Sequence, residues 1–157
     1  MVSVKLPKMD EDEIKNLLEN KSLCRIAFID EGYPYISPFQ YVYYNNCLYF
    51  HFTDYGKKKN ILLKNGNVCV SIEEFAPDLT SYKFISIQGN LKLIEDASEK
   101  TEIIKRMVNH AKKKYSTSFL SAHGFESEKG WDNFSVQDQL IYKLEEVGSR
   151  IALKSIS

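Results

Sequence analysis

Between residues 25 and 53, three runs of aromatic and β-branched residues are separated by very short gaps. Arg25-Ile26-Ala27-Phe28-Ile29 is followed by Asp30-Glu31-Gly32. A Tyr-, Phe-, Ile- and Val-bearing segment then runs from Pro34 to Tyr44. Asn45-Asn46 precedes Cys47-Leu48-Tyr49-Phe50-His51-Phe52-Thr53. Parallel strands need a crossover of a dozen residues or more, so runs this close together are antiparallel neighbours in a meander. Both gaps are turn-formers: an acidic-Gly pair and two asparagines, which tolerate positive φ.

The rest of the chain supplies partners for that meander. Met9 to Asn20 reads as a helix, with Asp10 as N-cap, Glu13 as its capping-box partner and Ile14, Leu17 and Leu18 as the apolar stripe. Lys57 to Asn65 reads as a short helix that stops at Asn65-Gly66. Val68 to Ile72 is a fourth strand and Tyr82 to Ile94 a long fifth, where Gly89 marks a bulge or bend. Ala97 to Tyr115 is a helix with Ser98 as its cap and Ile103, Ile104, Met107, Val108 and Ala111 on one face. Leu140 to Leu153 alternates as a sixth strand, or as two strands divided around Gly148. A chain of 157 residues without repeats or linkers reads as one domain, 1–157. The fold expected is mainly β (α+β): six antiparallel strands, three helices, and a closed or nearly closed barrel, because closure removes exposed edges.

Composition narrows the function classes. Lys+Arg and Asp+Glu each number 21, so net charge is zero, which argues against nucleic acid as partner. Cys24, Cys47 and Cys69 are odd in number and widely spaced, so they read as buried thiols in a reducing compartment. No apolar run is long enough for a membrane span or a signal peptide, so the expectation is a cytoplasmic protein. His51, His110 and His123 show no metal-ligand spacing, and no metal is expected. Tyrosine (10) and phenylalanine (9) are abundant; they suit strands, and they also suit a flat ligand or a partner subunit.

Three segments carry a resemblance. They are Gly32-Tyr33-Pro34-Tyr35-Ile36-Ser37-Pro38-Phe39; the strand Leu48 to Thr53 followed by Gly56-Lys57-Lys58; and Leu62, Asn65 and Val68 at three-residue spacing. With Ser86-Ile87-Gln88-Gly89, this series resembles the pyridoxamine 5'-phosphate oxidase-like split-barrel family, in particular the branch of nitroimidazole-reductase-type FMN proteins. The resemblance covers residues 9 to 115. It implies a split barrel, a homodimer with FMN at its interface, and electron transfer from a reduced nicotinamide donor to a small acceptor.

The resemblance also assigns roles. The FMN phosphate falls to Lys57 and Lys58, with Lys59 brought in by a one-residue shift. Independent physics agrees, because ammonium groups at a helix start add to free N–H groups and the positive end of the helix dipole. Taken alone, a lysine triplet is more often a solvated turn. Ser37, Pro38, Phe39 and Gln40 are implied for the isoalloxazine ring, and Phe52 and Thr53 for the strand leading to the phosphate. His51 is implied beside the flavin, as hydrogen-bonding partner or catalytic proton donor; a structural histidine is the alternative. Trp131 is either a flavin cap from the other subunit or a core residue, and Arg25 forms a salt bridge or reaches the phosphate. Pyridoxamine oxidases carry an arginine near the position of Ser37 and a C-terminal substrate-binding region that residues 116–138 do not match, which argues against vitamin B6 oxidation. The competing function is a non-catalytic binder of flavin, deazaflavin or haem on the same barrel.

Overall fold

Glu31 (φ 52°) and Gly32 (φ 87°) both take left-handed backbone, as do Asn45 (φ 49°) and Asn46 (φ 59°). Two such residues in succession make the tight hairpin whose twist matches the flanking strands. The first turn joins β1 (Leu23–Asp30) to β2 (Tyr33–Gln40), and the second joins β3 (Val42–Tyr44) to β4 (Cys47–Phe52). In a computed structural model that describes residues 4–116, 118–123 and 139–156, the remaining elements are α1 (Glu11–Asn20), α2 (Lys57–Lys64), β5 (Asn67–Phe75), β6 (Tyr82–Leu93), α3 (Ala97–Lys114), α4 (Ser118–Ala122) and β7 (Leu140–Lys154).

The described residues hold seven strands, not the six expected, in one antiparallel sheet of order β2-β1-β5-β6-β7-β4-β3. The extra strand comes from Pro34 to Tyr44, which breaks at Tyr41. The Tyr41 N–H donates to Ser22 O (3.0 Å), and its buried hydroxyl donates to Leu18 O (2.8 Å). Up to Gln40 the chain pairs with β1; from Val42 it pairs with β4. The two ends of the strand order are therefore consecutive in sequence. The sheet curls until its edges meet at Tyr41 and stay splayed elsewhere, which makes a split barrel with helices on its outside.

Rings bridge the split where no ladder does. Phe39 of β2 lies 4.8 Å from Phe52 and 6.2 Å from Phe50 of β4. Beneath them Ile26, Phe28, Val70, Ile72, Ile85 and Ile87 are almost fully buried. At α1 the Asp10–Glu13 capping box is present, and Ile14, Leu17 and Leu18 pack into the barrel core. A smaller core of Tyr49, Ile94, Ile103, Ile104 and Ile141 lies under α3. That helix is capped by Asp96, whose carboxylate accepts from the Glu99 N–H at 2.7 Å, and not by Ser98. The register of β6 against β7 shifts between Ile87 and Gly89, so the bulge falls where the glycine stands. β7 runs unbroken through Gly148. The three cysteines are free thiols, but only Cys24 is buried, where desolvation pushes its pKa up to about 12; Cys47 and Cys69 are half-buried, not buried as expected. No helix of the described residues is long and apolar enough to cross a membrane.

Candidate functional site

Alternation along β2 and β4 decides where the expected site residues go. In β2, Tyr35, Ser37 and Phe39 face the barrel interior, while Ile36, Pro38 and Gln40 face outward. In β4, Leu48, Phe50 and Phe52 face the interior, while Cys47, Tyr49 and His51 face α3. The expected residues thus form two groups on opposite faces of one sheet.

The first group sits at the start of α2. Gly56 precedes it with φ +91°, a backbone state that glycine adopts at little cost. No side chain caps this helix, and the first amide to bond back is that of Asn60, to Gly56 O at 3.2 Å. The N–H groups of Lys57, Lys58 and Lys59 therefore lack helical partners. The lysine ammonium groups are not equivalent. Lys57 pairs with Asp30 at 2.9 Å and lies 4.6 Å above the Tyr35 ring; the Asp30 hydrogen bond raises its pKa. Lys59 pairs with Asp54. Lys58 lies 4.7 Å above the Phe39 ring and has no carboxylate partner among the described residues. The Thr53 hydroxyl is turned back to Tyr55 O at 3.0 Å. The aromatic floor under these lysines continues through Phe39 to Phe52 and, 4.8 Å further, to Tyr142.

The open edge of β2 adjoins this group. The Tyr41 N–H donates to Ser22 O, one residue before β1 in the same register, and antiparallel pairing alternates bonded and unbonded positions. Residues 33, 35, 37, 39 and 41 therefore bond to β1, while 34, 36, 38 and 40 point their backbone groups away from it. Pro34 and Pro38 fall on that outer row, where a missing N–H costs no ladder bond. What remains there is a sparse edge: two N–H groups, of Ile36 and Gln40, among carbonyls.

The second group, Gln40 and His51, lines a pocket under α3 on the other face of β4. His51 is half-buried; burial lowers its pKa, and a hydrogen bond with Gln139 partly restores it. All three histidines of the chain border this pocket. Sequence spacing gave no hint of that, since they come from β4, α3 and the turn after α4. Among the described residues no three His, Cys, Asp or Glu side chains converge as metal ligands. Arg25 is taken up by an ion pair with Glu73 on β5. Trp131 lies outside the described residues.

A seven-stranded antiparallel sheet whose edges meet at one residue and gape elsewhere, with a lysine-crowned helix at the gap, defines the split-barrel class of α+β protein. The sequence model of the pyridoxamine 5'-phosphate oxidase family matches residues 10–128, and the chain belongs to that family. No curated protein matches it closely enough in sequence to count as a relative. Among solved structures it is similar to an FAD-binding protein from Mesorhizobium loti (19% identity, 97% of this chain and 99% of that one, TM-score 0.64). It is also similar to a candidate 5-nitroimidazole antibiotic resistance protein from Bacteroides thetaiotaomicron (22%, 96% and 90%, 0.67). A third is the haem storage protein HutZ from Vibrio cholerae (19%, 92% and 94%, 0.63). At these identities the likeness is one of fold.

Proposed function

We propose that this chain binds FMN at the interface of a homodimer and passes electrons from a reduced nicotinamide to a small acceptor. The observation that carries the proposal is the start of α2: three amides without helical partners and a Lys58 with no carboxylate partner among the described residues, set over the Phe39 ring at the gap of the barrel. These residues fit a phosphoryl group, with Lys58 as principal counter-charge and Lys57 as a second, attenuated by Asp30. Ser37, Pro38, Phe39 and Gln40, with the free N–H groups of the β2 edge, are the proposed seat of the ring, and Phe52 and Thr53 the route to its phosphate. Similar folds carry FAD in the Mesorhizobium loti protein and haem in HutZ. Bound FMN would supply the hydride-accepting and electron-releasing chemistry.

The chain's own residues bind and orient. His51 is a neutral imidazole at pH 7, because burial disfavours its charge. It serves as a hydrogen-bonding group beside Gln139. Exposed apolar residues on the outer side of β1 and β2 (Leu23 and Ile36, both over 60% exposed) favour coverage by a second copy. The test is absorbance of the purified protein. Flavin bands that bleach with NADH or NADPH and return with an added acceptor, at twice the monomer mass by light scattering, are expected. A Soret band would assign haem instead, and colourless monomeric protein that takes up no FMN would end the proposal.

A further inference from the structure

A cleft of about 610 Å³ opens where α1, the β5–β6 hairpin and the end of β7 meet. Small-molecule sites commonly enclose about 300–1,000 Å³. The cleft is remote from the start of α2. Lys57 pairs with Asp30 at one end of β1, while Lys21, which lines the cleft, stands just before the other end. The length of that strand puts about 25 Å between them.

Charge in the cleft is unevenly shared. Glu74, Lys83 and Lys154 are direct cross-strand partners on β5, β6 and β7, so their side chains leave the sheet on one face. Glu74 does not bond to Lys83 opposite it; it pairs with Lys21 at 2.8 Å. Lys154 pairs with Glu13 of α1 at 2.6 Å. Lys83 is left directly opposite a like charge, Lys154, an arrangement that weakens a sheet. Glu13 and Glu74 are within its electrostatic reach, yet no carboxylate forms an ion pair with it among the described residues. All three lysines are half-buried. Three ammonium groups and two carboxylates leave the cleft with one excess positive charge.

We infer that this cleft binds a monocarboxylate with a compact apolar body, its carboxylate bridging Lys83 and Lys154. One excess positive charge matches a monoanion. Two carboxylate oxygens match two ammonium groups, and an ammonium with three N–H donors keeps Glu13 while taking a second acceptor. A phosphate dianion carries more charge than the cleft offsets and would bring it against Glu13 and Glu74. The apolar body falls to Phe75, Ala76, Tyr82 and Ile156, which also line the cleft. Phe75 and Ile156 are exposed, so covering them removes apolar surface from water. The site uses no flavin, and so goes beyond the function proposed above.

Benzoate is the probe, titrated into isotope-labelled full-length protein and followed by amide chemical shifts. Acetate, phosphate and chloride at matched ionic strength are the comparisons. Saturable shifts at the amides of Tyr82, Lys83 and Lys154 are expected, with benzoate bound more tightly than acetate or phosphate. Lys83→Met, which keeps the stem and removes the charge, should weaken benzoate by about tenfold or more, and Lys83→Arg should retain it. Lys83→Met should leave FMN affinity unchanged, and Lys58→Ala should leave benzoate at this cleft unchanged, which separates failure here from failure of the anion site. Equal shifts with chloride, shifts confined to α2 or to the strand of His51, or undiminished binding in Lys83→Met would overturn the inference. The comparison of the four anions on the unmodified protein decides the matter even if the Lys83 variants do not fold.

Discussion

Replacing Lys58 by alanine is the sharpest test of the anion site, because its neighbours predict unequal effects. At about 4 Å and an effective dielectric of about 20, a unit charge pair is worth about 4 kcal/mol. Partial exposure and salt reduce this, and charge-assisted hydrogen bonds net about 1.5–3 kcal/mol. Lys58 has no competing carboxylate among the described residues, so that range is the expected loss, or about 10- to 150-fold in FMN affinity. Lys57 already spends its charge on Asp30 at 2.9 Å, so Lys57→Ala should cost clearly less. Asp30→Asn should tighten FMN by freeing Lys57. The assay is quenching of flavin fluorescence at low and high salt, with riboflavin as the phosphate-free control. Lys58→Ala should leave riboflavin affinity unchanged and flatten the salt dependence for FMN. Equal losses for FMN and riboflavin, or no loss for either, would refute a phosphate role for α2.

Three further outcomes follow from the structure. A Cβ on Gly89 would lie 2.4 Å from Glu145 O and 2.7 Å from Leu144 Cδ1, so Gly89→Ala should lose about 1–3 kcal/mol, read as a lowered Tm. His51 has a folded pKa below the ordinary value of about 6.5, so the unfolded chain takes up the proton first as pH falls. Its stabilising contribution is complete above about pH 6.5 and is lost below it, with a slope of at most about 1.4 kcal/mol per pH unit; urea midpoints from pH 7.5 to 5 should fall, and fall less in His51→Gln. Asp10→Ala removes the capping box of α1 and should cost about 1 kcal/mol by chemical denaturation.

Local chemistry was legible in the residues; tertiary switching was not. Asp10 and Glu13, the two asparagines at 45–46 and the bulge at Gly89 each follow from side chains within a few positions of where they act. The break at Tyr41 does not. No glycine or proline marks it, and its cause is a hydroxyl bonded to Leu18, 23 residues earlier. Asp96 outcompeted Ser98 as a cap because the loop after β6 delivers its carboxylate to the Glu99 amide, two positions before the expected cap. The lysine triplet was visible, yet its inequality depends on Asp30 in the preceding hairpin and Asp54 in the loop. The pocket was invisible, since His51, His110 and His123 meet only once α3 and α4 cover β4.

The separation of the two candidate sites rests on the register of one six-residue strand. In β4, Phe52 faces the rings beneath Lys58 and His51 faces the pocket under α3. Side chains in a strand alternate with period two, so a slip of one residue would exchange every one of them. The slip is opposed from both faces at once. Leu48, Phe50 and Phe52 are buried in the barrel core, while Tyr49 is buried under α3 with its hydroxyl on Glu99 at 2.9 Å. Pairing of His51 with Ile141 and Phe52 with Leu140 fixes the same register from β7. A slip would drive the imidazole into an aromatic core and a phenylalanine into the polar company of Gln139 and His110. A cationic helix start and a histidine-lined pocket can therefore occupy opposite faces of one strand, because the packing that forms the barrel also forbids their exchange.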